Sequence, residues 1–109
     1  MENKKYKLTD ETIDIEGKTL YRIEALKDFG EIKKGDKGGF IESENNLAHD
    51  GDAWVSDDAW VYDNARVCGS ACVSDNARVY GNCQVYGNAF VYDGACVYGN
   101  TCVWRCSCV

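Results

Sequence analysis

The sequence predicts an all-β protein, a single-stranded parallel β-helix of about three triangular coils with a small β-rich cap at its N-terminal end. Three observations predict this architecture. A six-residue repeat runs from Gly51 to the end of the chain, and its fifth residue is always Val. Residues eighteen positions apart match in type. Proline is absent, as expected where every backbone N–H takes part in sheet hydrogen bonds.

The six-residue unit predicts a short strand followed by a turn. Its third residue is small, usually Ala, and its fourth varies between units such as DNARVY and GNAFVY. Because successive side chains of a strand point to opposite faces, the third and fifth residues are expected inside and the fourth outside. The first two residues of each full unit are Gly, Asp, Asn or Ser, which suit turns with positive φ. Helical solenoids are excluded, since their repeats need roughly 20 residues or more.

The eighteen-residue matches predict that three units close one triangular coil. Residues with this separation should stack directly on one another in neighbouring coils, as in other cross-β ladders. The chain then divides into the coils Gly51–Cys68, Gly69–Tyr86 and Gly87–Trp104. Four columns support this division: Asp57, Asp75 and Asp93; Tyr62, Tyr80 and Tyr98; Asn64, Asn82 and Asn100; Gly51, Gly69 and Gly87.

The first fifty residues lack the repeat and predict a separate cap over residues 1–50, followed by the β-helix over residues 51–109. The runs TIDIEG, KTLYRIEAL and GGFIES alternate or are apolar, and glycines lie between or beside them. Such runs predict two or three strands joined by turns. A cap would keep the first coil from pairing with other chains through an open strand edge.

Composition and charge exclude several classes of partner. The chain has 109 residues, a formal net charge of −6 and a pI near 4.6, which disfavours nucleic acid and anionic membrane surfaces. No apolar run approaches the roughly 20 residues of a membrane span, and the start of the sequence does not resemble a signal peptide. We therefore expect a cytoplasmic protein. Its seven Cys residues are then reduced and serve as small apolar filler.

The repeat resembles the hexapeptide-repeat family, whose members form left-handed parallel β-helices. Units such as DNARVY and GNAFVY share that family's pattern of a small residue, a variable residue and an aliphatic residue. The resemblance implies a left-handed coil. It also implies an assembly of several copies, because proteins of this family commonly trimerise side to side.

A more particular resemblance covers roughly residues 20–104. The stretch from Ala25 through the first repeats is similar to the start of uncharacterised bacterial and phage proteins of the YdcK type. The matching residues are Asp28-Phe29, Lys33-Lys34-Gly35 and Gly38-Gly39-Phe40. Such proteins are often labelled transferases, because the best-known enzymes with this β-helix are acyltransferases. The resemblance also implies a phage or prophage origin.

An acyltransferase of the hexapeptide type would need a histidine base and room for acyl-CoA. In the family the base lies in a cleft between subunits. This chain offers one candidate, His49, and the neighbouring Asp50 and Asp52 could orient its imidazole. The repeats continue without an inserted loop, so no lid or substrate pocket is predicted. A solvated surface histidine is the simpler interpretation, and no cofactor is expected.

Two groups of side chains are candidate metal ligands, and for neither is a bound metal predicted. The column Asp57, Asp75 and Asp93 could attract Ca²⁺, but hydration and partial screening are the usual outcome for such a ladder. The second group lies close together in the sequence and consists of Cys96, Cys102, Cys106 and Cys108. A triangular coil separates these thiols, so they cannot converge on a zinc ion.

The outward positions of the repeat predict a protein interface. One side of the coil is apolar throughout, and a flat apolar strip with large aromatic residues marks an interface more often than bare surface. This side carries Trp54, Cys72, Phe90 and Cys108. The other interface candidates are Trp60 and the column of Tyr62, Tyr80 and Tyr98.

These observations predict a noncatalytic structural or protein-binding module. Self-association as a dimer or trimer is the simplest use of an apolar side, and binding of a different protein, such as a protein of a phage's host, is the second. Two alternatives stay open. One is a minimal or degenerate acyltransferase that uses acyl-CoA. The other is an oligomeric scaffold that sequesters a small ligand in a pocket lined by Tyr or Trp between subunits.

Overall fold

The computed structural model describes residues 4–49, 51–100 and 102–103. Within these residues the chain forms twelve β-strands and one turn of 3₁₀ helix, Glu44–Asn46. Three longer strands come first: β1 Tyr6–Ile15, β2 Lys18–Ala25 and β3 Lys37–Ile41. Nine two-residue strands follow: β4 Trp54–Val55, β5 Trp60–Val61, β6 Arg66–Val67, β7 Cys72–Val73, β8 Arg78–Val79, β9 Gln84–Val85, β10 Phe90–Val91, β11 Cys96–Val97 and β12 Cys102–Val103. The all-β prediction is confirmed.

The nine short strands wind into a parallel β-solenoid of about three coils. Strands eighteen residues apart pair in parallel, so that Trp54 lies beside Cys72 and Cys72 beside Phe90. This register confirms the predicted triangular coil. We name its three sides by one outward residue each: the Phe90 side (β4, β7, β10), the Arg78 side (β5, β8, β11) and the Gln84 side (β6, β9, β12).

The interior of the solenoid is lined by the third and fifth residues of each unit, as predicted. The Ala and Val residues from Ala53 to Val91 at these positions are completely shielded from solvent. Cys83 replaces Ala in one unit, and its thiol donates to the carbonyl oxygens of Tyr80 at 3.1 Å and Val97 at 3.4 Å. Burial raises the pKa of this thiol, so it stays protonated as a small core residue.

The corners of the solenoid carry the predicted columns. The rings of Tyr62 and Tyr80 stack with centroids 5.1 Å apart, and those of Tyr80 and Tyr98 with centroids 5.4 Å apart. The side-chain amide of Asn64 donates to that of Asn82 at 3.2 Å. Stacked rings and amides of this kind stabilise cross-β ladders. We call the column of Tyr62, Tyr80 and Tyr98 the tyrosine corner.

The N-terminal segment forms a β-hairpin and a third strand that continue one side of the solenoid. The hairpin turn has positive φ at both central residues, 50° at Glu16 and 83° at Gly17, which is the geometry of a type I′ turn. β2 pairs antiparallel with β3, and β3 pairs in parallel with β5. The Arg78 side therefore belongs to a six-stranded sheet with the order β1-β2-β3-β5-β8-β11.

A partial coil precedes the first repeat and closes that end of the interior. Ile41 pairs with Val61 and Leu47 with Val67, so two larger aliphatic residues occupy the positions that Val occupies in each coil. Both are completely buried, together with Ile23 of β2. The solenoid ladder thus starts ahead of Gly51, and the open end that a bare first coil would present is covered.

A buried asparagine connects the partial coil to the first full coil. The Oδ1 of Asn46 accepts the backbone N–H groups of Glu42 at 3.0 Å and Ser43 at 2.9 Å. Its Nδ2 donates to the carbonyl oxygens of Asp63 at 3.3 Å and Ala65 at 2.7 Å. The amide is fully shielded from solvent, so these four hydrogen bonds use its complete donor and acceptor capacity.

Candidate functional site

The Phe90 side contains the strongest candidate for a binding surface, but it is not the uniform strip that the repeat predicts. Its outward residues become more exposed along the stack: Trp54 is 3% exposed, Cys72 is intermediate and Phe90 is 44% exposed. Cys108 lies outside the described residues. The prediction that Trp54 is exposed is wrong, because the N-terminal segment covers its indole.

Two aromatic rings of the N-terminal segment pack on Trp54. The Phe29 ring lies edge-on with its centroid 5.3 Å from that of the indole, and the Tyr6 ring with its centroid 6.3 Å away. Phe29 is held by a tight turn in which its backbone exchanges hydrogen bonds with Ile32 at 2.9 and 2.7 Å. The sequence motif that contains Phe29 had no assigned role. Its contact with Trp54 shows that the turn folds over the first coil.

This turn and Phe90 form the two walls of a groove of about 440 Å³ on the Phe90 side. Phe29 and Ile32 line one wall, Phe90 the other, and Cys72 lies between them with Trp54. Burial raises the pKa of the Cys72 thiol, and the nearby Glu31 raises it further. The thiol is therefore neutral at physiological pH and contributes an apolar floor rather than a reactive thiolate.

The polar residues around the groove are hydroxyls and carboxylates. Three serines line it: Ser56, Ser70 and Ser74. Among the described residues that line the groove, the charged ones are Glu31 and Asp52, and both are acidic. The groove therefore combines an apolar floor with acidic residues at its rim, and the ammonium of the buried Lys5 lies 4.9 Å from the centroid of the Phe29 ring.

A column of three carboxylates adjoins the groove. Ser56 and Ser74 are followed directly by Asp57 and Asp75, and Asp93 continues the column. We call Asp57, Asp75 and Asp93 the acidic corner. The Asp57 carboxylate accepts the backbone N–H of Asp75 at 3.2 Å, and the Asp75 carboxylate accepts that of Asp93 at 3.1 Å. These bonds offset part of the repulsion between stacked like charges.

The acidic corner also has a distinctive backbone. All three residues have positive φ, between 56° and 59°, a conformation that Asp and Asn tolerate better than most residues. In the part of the chain that the structure describes, no group of three or more His, Cys, Asp or Glu side chains is arranged to hold a metal ion. Of the predicted cysteine group, Cys106 and Cys108 lie outside the described residues.

His49, the candidate general base, has both ring nitrogens in structural hydrogen bonds. Its Nδ1 lies 3.1 Å from the backbone N–H of Lys5, which can only donate, so Nδ1 is the acceptor. Nε2 then carries the proton and donates to Glu44 Oε1 at 2.9 Å. The ring also stacks on Tyr6, with centroids 4.2 Å apart. In this arrangement neither nitrogen offers the free lone pair that a general base needs.

The surroundings of His49 form a second buried connection between the cap and the solenoid. Tyr6 is completely buried, and its hydroxyl donates to Leu47 O at 2.5 Å. Burial and the charge of Glu44 raise the pKa of Tyr6 well above its ordinary range. The hydrogen bond from His49, assisted by Lys4, lowers the pKa of Glu44. His49 therefore holds residues 4–6 against residues 44–47.

Two substitutions at His49 are expected to show separately what each of its two hydrogen bonds contributes to stability. We expect His49→Asn to retain the acceptor for the Lys5 N–H, and His49→Gln to retain only the contact with the exposed Glu44 carboxylate. Both variants lose the ring stacking on Tyr6, but only His49→Gln also leaves the Lys5 N–H without its acceptor. This loss should cost about 1 kcal/mol, so His49→Gln should be less stable than His49→Asn. Urea denaturation of both variants measures this order. The reverse order would mean that the contact with Glu44, and not the hydrogen bond with Lys5, is the one that stabilises the protein.

The remaining outward residues present less apolar surface. On the Arg78 side, the guanidinium of Arg78 lies 4.0 Å from the centroid of the Trp60 ring, and that of Arg22 lies 4.4 Å from the Phe40 ring. These cation–π contacts cover both rings in part. The Gln84 side carries Arg66, Gln84 and Cys102, all exposed. Tyr98, at the end of the tyrosine corner, is 59% exposed.

The structure thus brings some predicted interface residues together and separates others. Cys72 and Phe90 share one groove, whereas Trp60 and the tyrosine corner lie on or beside a different side. Repeat reasoning missed Phe29, Glu31 and Ile32, which come from outside the repeat and complete the groove. Among the described residues, no helix is long and apolar enough to cross a membrane.

Part of the repeat is similar to that of a known protein family. The family model described as the YdcK β-solenoid repeat matches residues 71–87 and 84–99, which lie within the second and third coils. No curated protein matches the chain. The matched residues form parallel strands stacked at eighteen-residue intervals on three sides, as a β-solenoid repeat requires. The chain is therefore a β-solenoid repeat protein, and its residues 71–99 are similar to the YdcK β-solenoid repeat.

Proposed function

We propose that this protein is a noncatalytic protein-binding module and that the Phe90 side is its binding surface. The observation that carries the proposal is the groove between the Phe29–Ile32 turn and Phe90. Its apolar floor lies next to an aromatic side chain that is 44% exposed. Exposed aromatic residues beside an apolar concavity are typical anchors of protein interfaces.

The arrangement of the candidate catalytic groups supports a noncatalytic role. Both nitrogens of His49 are engaged in hydrogen bonds to the chain itself. The Cys72 thiol has a raised pKa and is a poor nucleophile in its neutral form. The binding energy of such a surface would come from apolar contact with Phe90 and the groove floor.

The partner is either a second copy of the chain or a different protein. Because the chain resembles phage-encoded proteins, we expect that different protein to be one of the phage's host. Native mass spectrometry under reducing conditions, with and without acetyl-CoA, separates these possibilities. A dimer or trimer without added coenzyme mass would favour self-association. A monomer would assign the Phe90 side to another protein, and a coenzyme adduct would contradict the noncatalytic proposal.

Selection of a random-peptide display library on the reduced protein tests the binding surface directly. We expect enriched peptides to lose about tenfold or more in affinity when Phe90→Asp removes the aromatic anchor. Gln84→Asp is the matched control, because Gln84 is exposed at the same position of the repeat unit on another side, and it should leave the affinity unchanged. Failure to enrich any peptide, or equal effects of the two substitutions, would overturn the proposal.

A further inference from the structure

We infer that the groove on the Phe90 side binds a basic segment of a partner protein that seats one large apolar side chain between Phe29 and Phe90. Its Lys or Arg side chains would lie over the acidic corner. This inference rests on the proposed function, since it names the chemistry of the partner that the same surface binds. Two independent properties of the surface lead to it, namely the shape and apolar lining of the groove and the charge around it.

The shape of the groove fits a single inserted side chain rather than a flat partner. The N-terminal turn with Phe29 and Ile32 packs on Trp54 and lines the groove together with Phe90, and Cys72 lies on the strand between those of Trp54 and Phe90. Large apolar residues that enter such a depression gain contact on several sides and exclude water from a neutral floor. The partner segment should therefore carry a Leu, Phe or Trp at its centre.

The charge around the groove selects the residues that flank this anchor. Residues 51–103 contain six Asp residues and, as basic residues, only Arg66 and Arg78. Arg66 is on the Gln84 side, and Arg78 lies over Trp60 on the Arg78 side. Arg78 also donates to Asn76 O at 2.8 Å, so its charge lies beside the Asp75 turn. With two arginines against six aspartates, the solenoid still carries an excess of negative charge.

The acidic corner is available to an external cation. In the described part of the chain, none of its three carboxylates forms an ion pair with Lys or Arg. Arg22 borders one end of the corner, where it pairs with Asp58 at 3.4 Å and donates to the Asp57 carbonyl oxygen at 3.3 Å. Successive coils place these carboxylates about 4.8 Å apart, so one Lys or Arg would interact with two of them at once. Glu31 and Asp52 add negative charge on the groove itself. A basic segment would meet carboxylates at both places.

The same charges disfavour a second copy as the occupant. An isologous pair would place identical surfaces against each other, and each copy would then bring its own Glu31, Asp52 and acidic corner close to those of its partner. Like charges opposed across an interface weaken association, and the net charge of −6 acts in the same direction. A basic partner converts this repulsion into attraction.

Three short synthetic peptides test the inference against the full-length reduced protein. In the first, arginines flank a central Leu-Trp pair; in the second, glutamates replace the arginines; in the third, serines replace them. Fluorescence anisotropy measures the affinity at low and at high salt. We expect the arginine peptide to bind at least about tenfold more tightly than either of the others at low salt, and to lose this advantage at high salt.

The matched variants replace Asp by Asn, which removes charge and preserves structure. Asn tolerates positive φ, and its Oδ1 accepts a backbone N–H as the carboxylate does. We expect the affinity for the arginine peptide to fall about tenfold in a variant that combines Asp57→Asn, Asp75→Asn and Asp93→Asn. Asp63→Asn is the control, because Asp63 also has positive φ and accepts a backbone N–H, from Gly81 at 3.2 Å, next to the tyrosine corner. It should change the affinity less than about twofold.

The outcomes distinguish this inference from the proposed function. If the serine and arginine peptides bind equally and neither binds the Phe90→Asp variant, the inference of a basic partner is overturned. The proposal that the Phe90 side is a binding surface then still stands. The inference would also be overturned if the arginine peptide bound the triple Asn variant as tightly as the unchanged protein. Failure of all three peptides to bind, in a protein that enriches no peptide from a library, would overturn both.

Discussion

Replacing Asn46 by Asp should lower the free energy of unfolding by about 3 kcal/mol or more. The Asn46 amide is completely buried, and its Nδ2 donates to the carbonyl oxygens of Asp63 and Ala65 in the first full coil. The substitution Asn46→Asp keeps the shape of the side chain but removes both donors. As a carboxylate the side chain would offer no donor to the two carbonyl oxygens, and as a neutral acid its single O–H could donate to only one of them. Urea denaturation followed by circular dichroism measures the loss.

The adjacent Asn45 supplies a control with the same chemical change. It lies in the same 3₁₀ turn, but its side chain is exposed. Asn45→Asp should change the free energy of unfolding by no more than about 0.5 kcal/mol, as is usual for surface substitutions. Equal destabilisation by the two substitutions would mean that charge in this turn, and not the lost hydrogen bonds of Asn46, determines stability.

Gly39→Ala is expected to destabilise the protein by about 3 kcal/mol through a backbone clash. A Cβ at this position would lie 2.5 Å from Ala59 O and 2.7 Å from Val55 Cγ1, both in the first coil. Neither atom belongs to a flexible chain end, so β3 would have to move away from β5. That movement would break the hydrogen bond from Phe40 N to Ala59 O, which is 2.9 Å long. Thermal unfolding of the variant measures the effect.

Gly94→Ala is the matched control for this clash. Its φ lies outside the positive region that favours glycine, and a Cβ there would meet no atom within 4 Å. The free energy of unfolding should therefore stay the same or rise by a few tenths of a kcal/mol, because Ala restricts the unfolded chain. Similar melting temperatures for Gly39→Ala and Gly94→Ala would show that β3 does not pack on the first coil as described.

The repeat could be predicted in detail because its rules are local and are applied many times. Alternation along a strand places Val61 inside and Trp60 outside without knowledge of any distant residue. Each column of matching residues tests the eighteen-residue spacing independently. Tyr62, for example, stacks on Tyr80, as this spacing predicts. An error in one unit would have put the columns out of register, so agreement among them was a strong constraint.

The groove could not be predicted because one of its walls comes from outside the repeat. Trp54 points outward as alternation requires, but its burial depends on Phe29, which is far from it in sequence. No short-range pattern reports such a contact. The partial coil was accessible in principle, since Gly38-Gly39-Phe40-Ile41 has the same order of small, variable and aliphatic residues as the repeat. The hydrogen bonds of His49 and Asn46 depend on tertiary positions and leave no signal in residue spacing.

The stacking of columns at eighteen-residue intervals has a consequence for how chains of this kind can change length during evolution. An insertion or deletion of eighteen residues adds or removes a whole coil, and every side keeps its residues aligned. A change of six residues would still keep each Val inside, but it would rotate all later residues by one side. The aspartates of the acidic corner above the change would then stack on first residues of another unit below it, which are mostly glycines. A change of twelve residues would have the same effect, and changes that are not multiples of six would expose the Val column. Gain and loss of whole coils is therefore the mutational step that preserves both the core and the surface.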